Sequence, residues 1–329
     1  MAAASNARIA TVFGGSGFVG RHTVRALAQA GWRIRAAERR PDLAGHLQPL
    51  GAVGQIMPVQ ANVRYPASVA RAVAGADAVV TSVGILTPSG AQSFAAVHVE
   101  GPRAIGRAAR EAGVKRLVHI SAIGAELKSR SAYARSKAEG ERALLEEFPD
   151  AIILRPSIVF GPEDQFFNRF AALAVSSPVL PLIGGGKTKF QPVFVGDLAA
   201  AIAAVLDGAG MPGTVYEIGG PAVHSFRALL DKTQEWSGRK RAYMPLPFAV
   251  ASLQALLTKP LSLVDNNLRP ITVDQVRLLK SDNVVSQKAK LENRTLAGLG
   301  ITDAAPIEAV VPSYLERYKP RGQFAHYRG

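Results

Sequence analysis

Cysteine is absent from the 329 residues, which excludes a disulfide scaffold, a Cys-ligated zinc site and a thiol nucleophile and fits a reducing compartment. Acidic residues are scarce: 25 Asp+Glu face 39 Lys+Arg, leaving a net charge of +14. A field of that sign favours nucleic acid, anionic lipid or an acidic protein surface. The excess is spread, with 20 Lys/Arg against 11 Asp/Glu in residues 1–160 and 19 against 14 in 161–329. Aromatics are only 7% of the chain and form no row beside a basic arm, so nucleic acid is not expected as a partner. Long hydrophobic runs are missing too. The longest, Met244 to Thr258, is broken by Pro245, Pro247, Ser252 and Gln254 and meets Lys259, short of the ~18 residues a spanning helix needs. Met1 to Arg8 shows no basic segment ahead of an apolar stretch, so no secretory signal is expected.

Core material is abundant, at 48% hydrophobic residues, and the length suits two domains or one large α/β unit with an added lobe. Arg8–Phe13, Arg33–Ala37, Ala76–Val83 and Arg116–Ile120 read as strands. Arg21–Ala30, Ala67–Val73 and Arg103–Ala112 read as helices between them. Strands alternating with helices predict a doubly wound parallel sheet of the α/β class, a Rossmann-type fold. This dinucleotide-binding domain is expected over 1–155, with 190–218 rejoining the sheet. After residue 156, Gly161-Pro162, Ser177-Pro178, Gly184–Gly186 and Pro192 break the rhythm. A smaller lobe that binds a substrate or a partner is expected over 156–189 and 219–329, ending in a C-terminal arm.

Gly14-Gly15-Ser16-Gly17-Phe18-Val19-Gly20 follows the first strand and opens the first helix. It satisfies G-x-G-x-x-G, a spacing that gives a tight turn, close backbone approach to a pyrophosphate and N–H donors at a helix start. About 18 to 20 residues on, where the adenosine ribose is read, stand Glu38, Arg39 and Arg40. Glu38 argues for NAD(H) through the 2′-hydroxyl; the two guanidiniums argue for NADP(H) through a 2′-phosphate. The balance favours NADP(H), with Arg39 ahead of Arg40 as the phosphate contact and Arg21 a weaker candidate.

Tyr133 and Lys137 are one helical turn apart. An ammonium beside a phenol favours the phenolate, which suits a general acid/base, and Ser121 at the end of the preceding strand would orient a carbonyl. The histidines, including His22, His98, His119 and His224, lack metal-ligand spacing and read as satisfied or surface groups; no metal is expected. Met244–Val264, behind Gly238-Arg239-Lys240-Arg241, reads either as a helix packed in the protein or on another subunit, or as a segment lying on an anionic membrane surface. Tyr314–Gly329 reads as an arm draped over a partner.

In order and type, Gly14, Gly17, Gly20, Ser121, Tyr133 and Lys137 resemble the short-chain dehydrogenase/reductase superfamily, in its extended branch related to NAD-dependent epimerase/dehydratases. Leu154–Pro162 and Gln191–Ala199 look like later stretches of that branch. The resemblance implies nicotinamide contacts at Pro156, Ser157 and Ile158, ribose contacts at Val83, Gly84 and Ile85, and adenine contacts at Asn62 and Val63. A closer resemblance is carried by Phe160–Phe170, Gly186–Val193 and Ile271–Asn283. These look like the accessory NADPH-binding subunit of respiratory complex I (NADH:ubiquinone oxidoreductase), the alpha-subcomplex subunit nine family, in its bacterial form. That implies tight NADPH outside the main electron path and a vestigial Tyr133/Lys137/Ser121 set. It also implies a place on the peripheral arm near the quinone-binding end, on the cytoplasmic side of the bacterial inner membrane. A free NADP(H)-dependent reductase or epimerase remains the alternative, and a redox-sensing or RNA-binding regulator a remote one.

Overall fold

The computed structural model describes residues 8–257 and 272–320. Two compact units emerge. The first comprises the chain up to Pro156 with Val195–Ile218 and Val285–Ala304. It holds β1 (Ile9–Phe13), α1 (Phe18–Gln29), β2 (Arg33–Glu38), β3 (Ile56–Gln60), α2 (Pro66–Val73), β4 (Ala78–Thr81), α3 (Gly101–Glu111), β5 (Arg116–Ile120), α4 (Ala132–Glu147), β6 (Ile152–Pro156), α6 (Val195–Leu206), β11 (Val215–Ile218) and α10 (Gln287–Leu291).

Seven strands form one parallel sheet in the order β11-β6-β5-β4-β1-β2-β3. Strands buried on both faces read as continuous apolar runs, and β4, Ala-Val-Val-Thr, is buried at every position. On one face Phe13, Val79 and Leu117 pack with Val69 and Val73 of α2, Ile105 of α3 and Leu144 of α4. The chain order reverses across β1 and β4, and at the carboxyl ends of those strands a doubly wound sheet opens its ligand crevice.

Three features depart from the sequence reading. β3 is an added strand with Pro58 inside it, tolerated because the strand lies at the sheet's edge. Of residues 190–218, Val195–Ile218 lie in the sheet's unit as expected, with Val215–Ile218 pairing β6, but Val193 and Phe194 pair with Val159 and Phe160 instead of the sheet. Residues 285–304, which sequence assigns to the smaller lobe, pack with the sheet. Arg294 donates to the Val215 carbonyl at 2.5 Å and accepts from the Glu217 amide at 2.9 Å.

The second unit comprises Ser157–Phe194, Gly219–Val284 and Ala305–Gly329. Its strands pair in twos: β7 (Val159–Phe160) with β10 (Val193–Phe194), β9 (Lys189–Phe190) with β12 (His224–Ser225), and β8 (Val179–Ile183) with β13 (Ala242–Leu246). Around them lie α5 (Phe167–Ser176), α7 (Phe226–Trp236), α8 (Phe248–Leu257), α9 (Val273–Leu278) and α11 (Ile307–Leu315). The core is aromatic, with Phe160, Phe167, Phe170, Phe190 and Phe226 meeting mostly edge to face. Buried Asp164 ties it together, accepting from the Phe166 amide at 2.9 Å and from the Tyr314 hydroxyl at 2.5 Å. Parts of three stretches singled out in the sequence lie outside the described residues: 258–264 of the apolar segment, Ile271 of the later motif, and 321–329 of the arm.

Candidate dinucleotide site

The glycine turn is built as its spacing predicts. Gly14 sits at φ +79°, a conformation that favours glycine, and its carbonyl accepts from the Gly17 amide at 3.1 Å. Gly17 caps α1, which begins at Phe18, three residues before the periodicity starts it. A Cβ on Gly20 would lie 1.9 Å from the Gly14 oxygen, and one on Gly15 would lie 3.2 Å from the Ala36 Cβ. The turn thus packs backbone against backbone and leaves a cradle at the start of α1. No acidic residue stands in that helix's first turn, so nothing of its own offsets the dipole there.

At the ribose corner, Glu38 is held over the turn: its carboxylate accepts from the Ser16 amide at 2.6 Å. Arg21 folds back, its guanidinium 3.1 Å from the Ser16 carbonyl. Arg40 is engaged by Asp42 at 2.8 Å, an exposed pair that holds the guanidinium above and the carboxyl below their usual ranges through their hydrogen bond. Arg39 is exposed. Arg40 would have to leave Asp42 before it could meet another anion.

Val83 adjoins the turn, its Cγ2 3.2 Å from where a Gly14 Cβ would stand, and Gly84 is exposed. Asn62 closes a local turn, its Oδ1 accepting from the Arg64 amide at 3.1 Å. The Val63 side chain is buried in the core. Pro156 ends β6 and accepts from the Ile123 amide at 3.0 Å. Ser157 and Ile158 belong to the second unit, where the Ser157 hydroxyl lies 2.7 Å from Asn283 Oδ1 and Ile158 packs on the aromatic core.

The α4 residues depart from expectation in their chemistry. The Lys137 ammonium is buried and donates to the Ile120 carbonyl at 2.7 Å. Burial pushes it down to about 8 and pushes the Tyr133 phenol up to about 12. Desolvation disfavours both charged forms, so the phenol is held protonated and its titration moves away from neutral pH rather than toward it. Ser121 is buried and its hydroxyl donates to Glu141, one turn beyond Lys137, instead of standing open to a carbonyl. Glu141 is in turn gripped by Arg155 through bonds of 2.9 and 2.5 Å. Of the histidines, His119 corrects the sequence reading: it is fully enclosed and neither ring nitrogen has a hydrogen-bond partner among the described residues. Burial holds it neutral, its basicity far below the usual histidine range. Among the described residues no cluster of His, Asp and Glu could hold a metal ion.

The family description that matches this chain, over residues 10–219, is the NAD dependent epimerase/dehydratase family. The chain belongs to that family. Within the family it is similar to the mitochondrial NADH dehydrogenase [ubiquinone] 1 alpha subcomplex subunit 9 of Arabidopsis thaliana, 35% identical over 85% of this chain and 72% of that one. It is also similar to a ceramide reductase of Caulobacter vibrioides, 35% identical over 61% of this chain and 62% of that one. A solved NADPH-dependent quinone oxidoreductase from Escherichia coli, complexed with NADPH, shares the fold with a TM-score of 0.70 at 23% identity. That match covers 93% of this chain and 99% of the other. An epimerase/dehydratase domain is a nicotinamide-dinucleotide fold, and the glycine turn Gly14–Gly20 at the start of α1, whose first turn carries no acidic residue, is the part that would meet a pyrophosphate.

Proposed function

We propose that this protein is an accessory NADP(H)-binding subunit of respiratory complex I, structural rather than catalytic and outside the main electron path. One observation carries the reading: the hydroxyl expected to orient a substrate carbonyl, that of Ser121, is buried and committed to Glu141. What remains is a set that holds a nucleotide. Gly14, Ser16, Gly17, Phe18, Val19 and Gly20 would cradle the pyrophosphate. Lys137, down to about 8 through burial, would reach the nicotinamide ribose, with Tyr133 beside it. Bound nucleotide would supply stability by mass action, since only the folded state binds it.

The partners under this reading are other subunits of the peripheral arm near its quinone-binding end, on the cytoplasmic side of a bacterial inner membrane. Met244, Val250, Leu253 and Leu256 are exposed on the second unit, which suits a partner subunit or an anionic membrane surface. No helix among the described residues is long and apolar enough to cross a membrane, in keeping with a peripheral place. Gently solubilised membranes, fractionated natively, test this: the chain should co-migrate with NADH:quinone oxidoreductase activity in high salt. A small species free of that activity would overturn it. It would favour the second reading, a free NADP(H)-dependent reductase, which the Caulobacter similarity and the retained Tyr133/Lys137 pair support.

NADP(H) is preferred over NAD(H) because Arg39 is exposed and, among the described residues, no carboxylate pairs with it, unlike Arg40. Arg39→Ala should weaken NADPH about tenfold or more, by roughly 1.4 kcal/mol or more, and NADH by less than twofold. Equal losses in fluorescence titrations would reject the assignment.

A further inference from the structure

His98, one of the histidines read from sequence as a bland satisfied or surface group, lies in a π-helical turn, Ala95–Glu100, that runs directly into α3. Such turns are uncommon and often mark functional sites because they widen the backbone and re-aim a side chain. Here the turn is pressed on α4: a Cβ on Gly140 would lie 1.8 Å from the His98 carbonyl oxygen. The ring is 2% exposed. Its Nε2 accepts from the Ile85 amide at 3.0 Å, which fixes the tautomer with the proton on Nδ1. Nδ1 faces the Ser136 hydroxyl at 2.9 Å, and that hydroxyl donates to the Tyr133 carbonyl at 2.8 Å. The ring also stacks on Phe94 at 5.2 Å and meets the Tyr133 ring edge-on at 5.5 Å.

One side chain therefore joins the Gly84–Ile85 loop after β4 to the first turns of α4, the two segments that carry the ribose contacts and the Tyr133/Lys137 pair. We propose that His98 is a positioning residue that sets the separation of these two walls and so shapes the nicotinamide half of the dinucleotide site. The inference rests on the dinucleotide reading above. Neutrality is part of the device, because a proton on Nε2 would face the Ile85 N–H, donor against donor. Burial, with the Lys137 charge adding to it, pushes the ring down to about 3, so the acceptor persists through the physiological range.

The test separates the two halves of the cofactor. Full-length protein is titrated with NADPH, followed by its fluorescence, and with 2′,5′-ADP, which carries only the adenosine half. His98→Ala should weaken NADPH about tenfold and blunt the fluorescence change on binding, while 2′,5′-ADP stays within about twofold. His98→Gln, which restores an acceptor toward Ile85, should recover most of the loss. Ser136→Ala, a milder cut in the same chain of bonds, should show the same pattern at smaller amplitude and serves if His98→Ala does not fold. Equal weakening of both ligands would mean a general structural role and overturn the proposal, as would unchanged NADPH affinity. Failure of the unaltered protein to bind either ligand would instead remove the dinucleotide reading itself, and the proposal with it.

Discussion

Gly20→Ala should abolish useful nucleotide binding, with NADPH affinity falling at least ~100-fold, about 2.7 kcal/mol. The new methyl would stand 1.9 Å from the Gly14 oxygen, 2.7 Å from its carbonyl carbon and 2.8 Å from the Gly15 Cα. All three are backbone atoms, so no side-chain rotation relieves the overlap. Either the turn opens or α1 retreats, and both break the Gly17-to-Gly14 hydrogen bond that shapes the turn. Gly45→Ala is the control, since a Cβ there meets nothing within 4 Å and should leave affinity unchanged. The reading of the cradle fails if Gly20→Ala binds NADPH within threefold of the unaltered protein while its far-ultraviolet circular dichroism is the same.

Glu141→Ala should cost about 3–5 kcal/mol of stability, the range for removing one partner of a buried ion pair. Among the described residues the carboxylate accepts from both the Arg155 guanidinium and the Ser121 hydroxyl. The Arg155 and Glu141 side chains are 24% and 6% exposed. Truncation therefore leaves a largely buried cation and a buried hydroxyl unpaired. Replacing both partners, Glu141→Leu with Arg155→Met, should recover more than half of that loss, because apolar groups of similar volume need no partner. Urea denaturation measures both variants, and a cost below about 1 kcal/mol for Glu141→Ala would mean that water reaches the pair.

The sheet was readable because its central strands are buried on both faces and so stand out as apolar runs between helical stretches. β3 was not, since Pro58 reads as a break unless its strand is known to lie at an edge. Residues 285–304 carry no local signal for the sheet they join; Ser286 and Arg294 find Glu217 and Val215 across about seventy residues, 69 and 79 positions away. At the site, the glycines and the Tyr133/Lys137 spacing were legible since they act through local geometry. The state of those side chains was not. Burial decides the titration of Tyr133 and Lys137, and a partner twenty positions on decides where the Ser121 hydroxyl goes. His98 was passed over for the same reason, as its meaning comes from Ile85 and Ser136 and from a π-turn that no composition announces.

The discontinuity of the first unit has a consequence for how the chain is made. β11 is the outer strand of the sheet, and the segment that covers its free side, through Glu217 and Val215, is not translated until residues 286–294. At about 5–20 residues per second, the ribosome takes several seconds to reach it after β11 is complete. During that interval an open parallel edge is exposed to neighbouring nascent chains. Aggregation during synthesis should therefore depend on that delay, and slow codons between β11 and residue 286 should lower soluble yield without altering the finished protein.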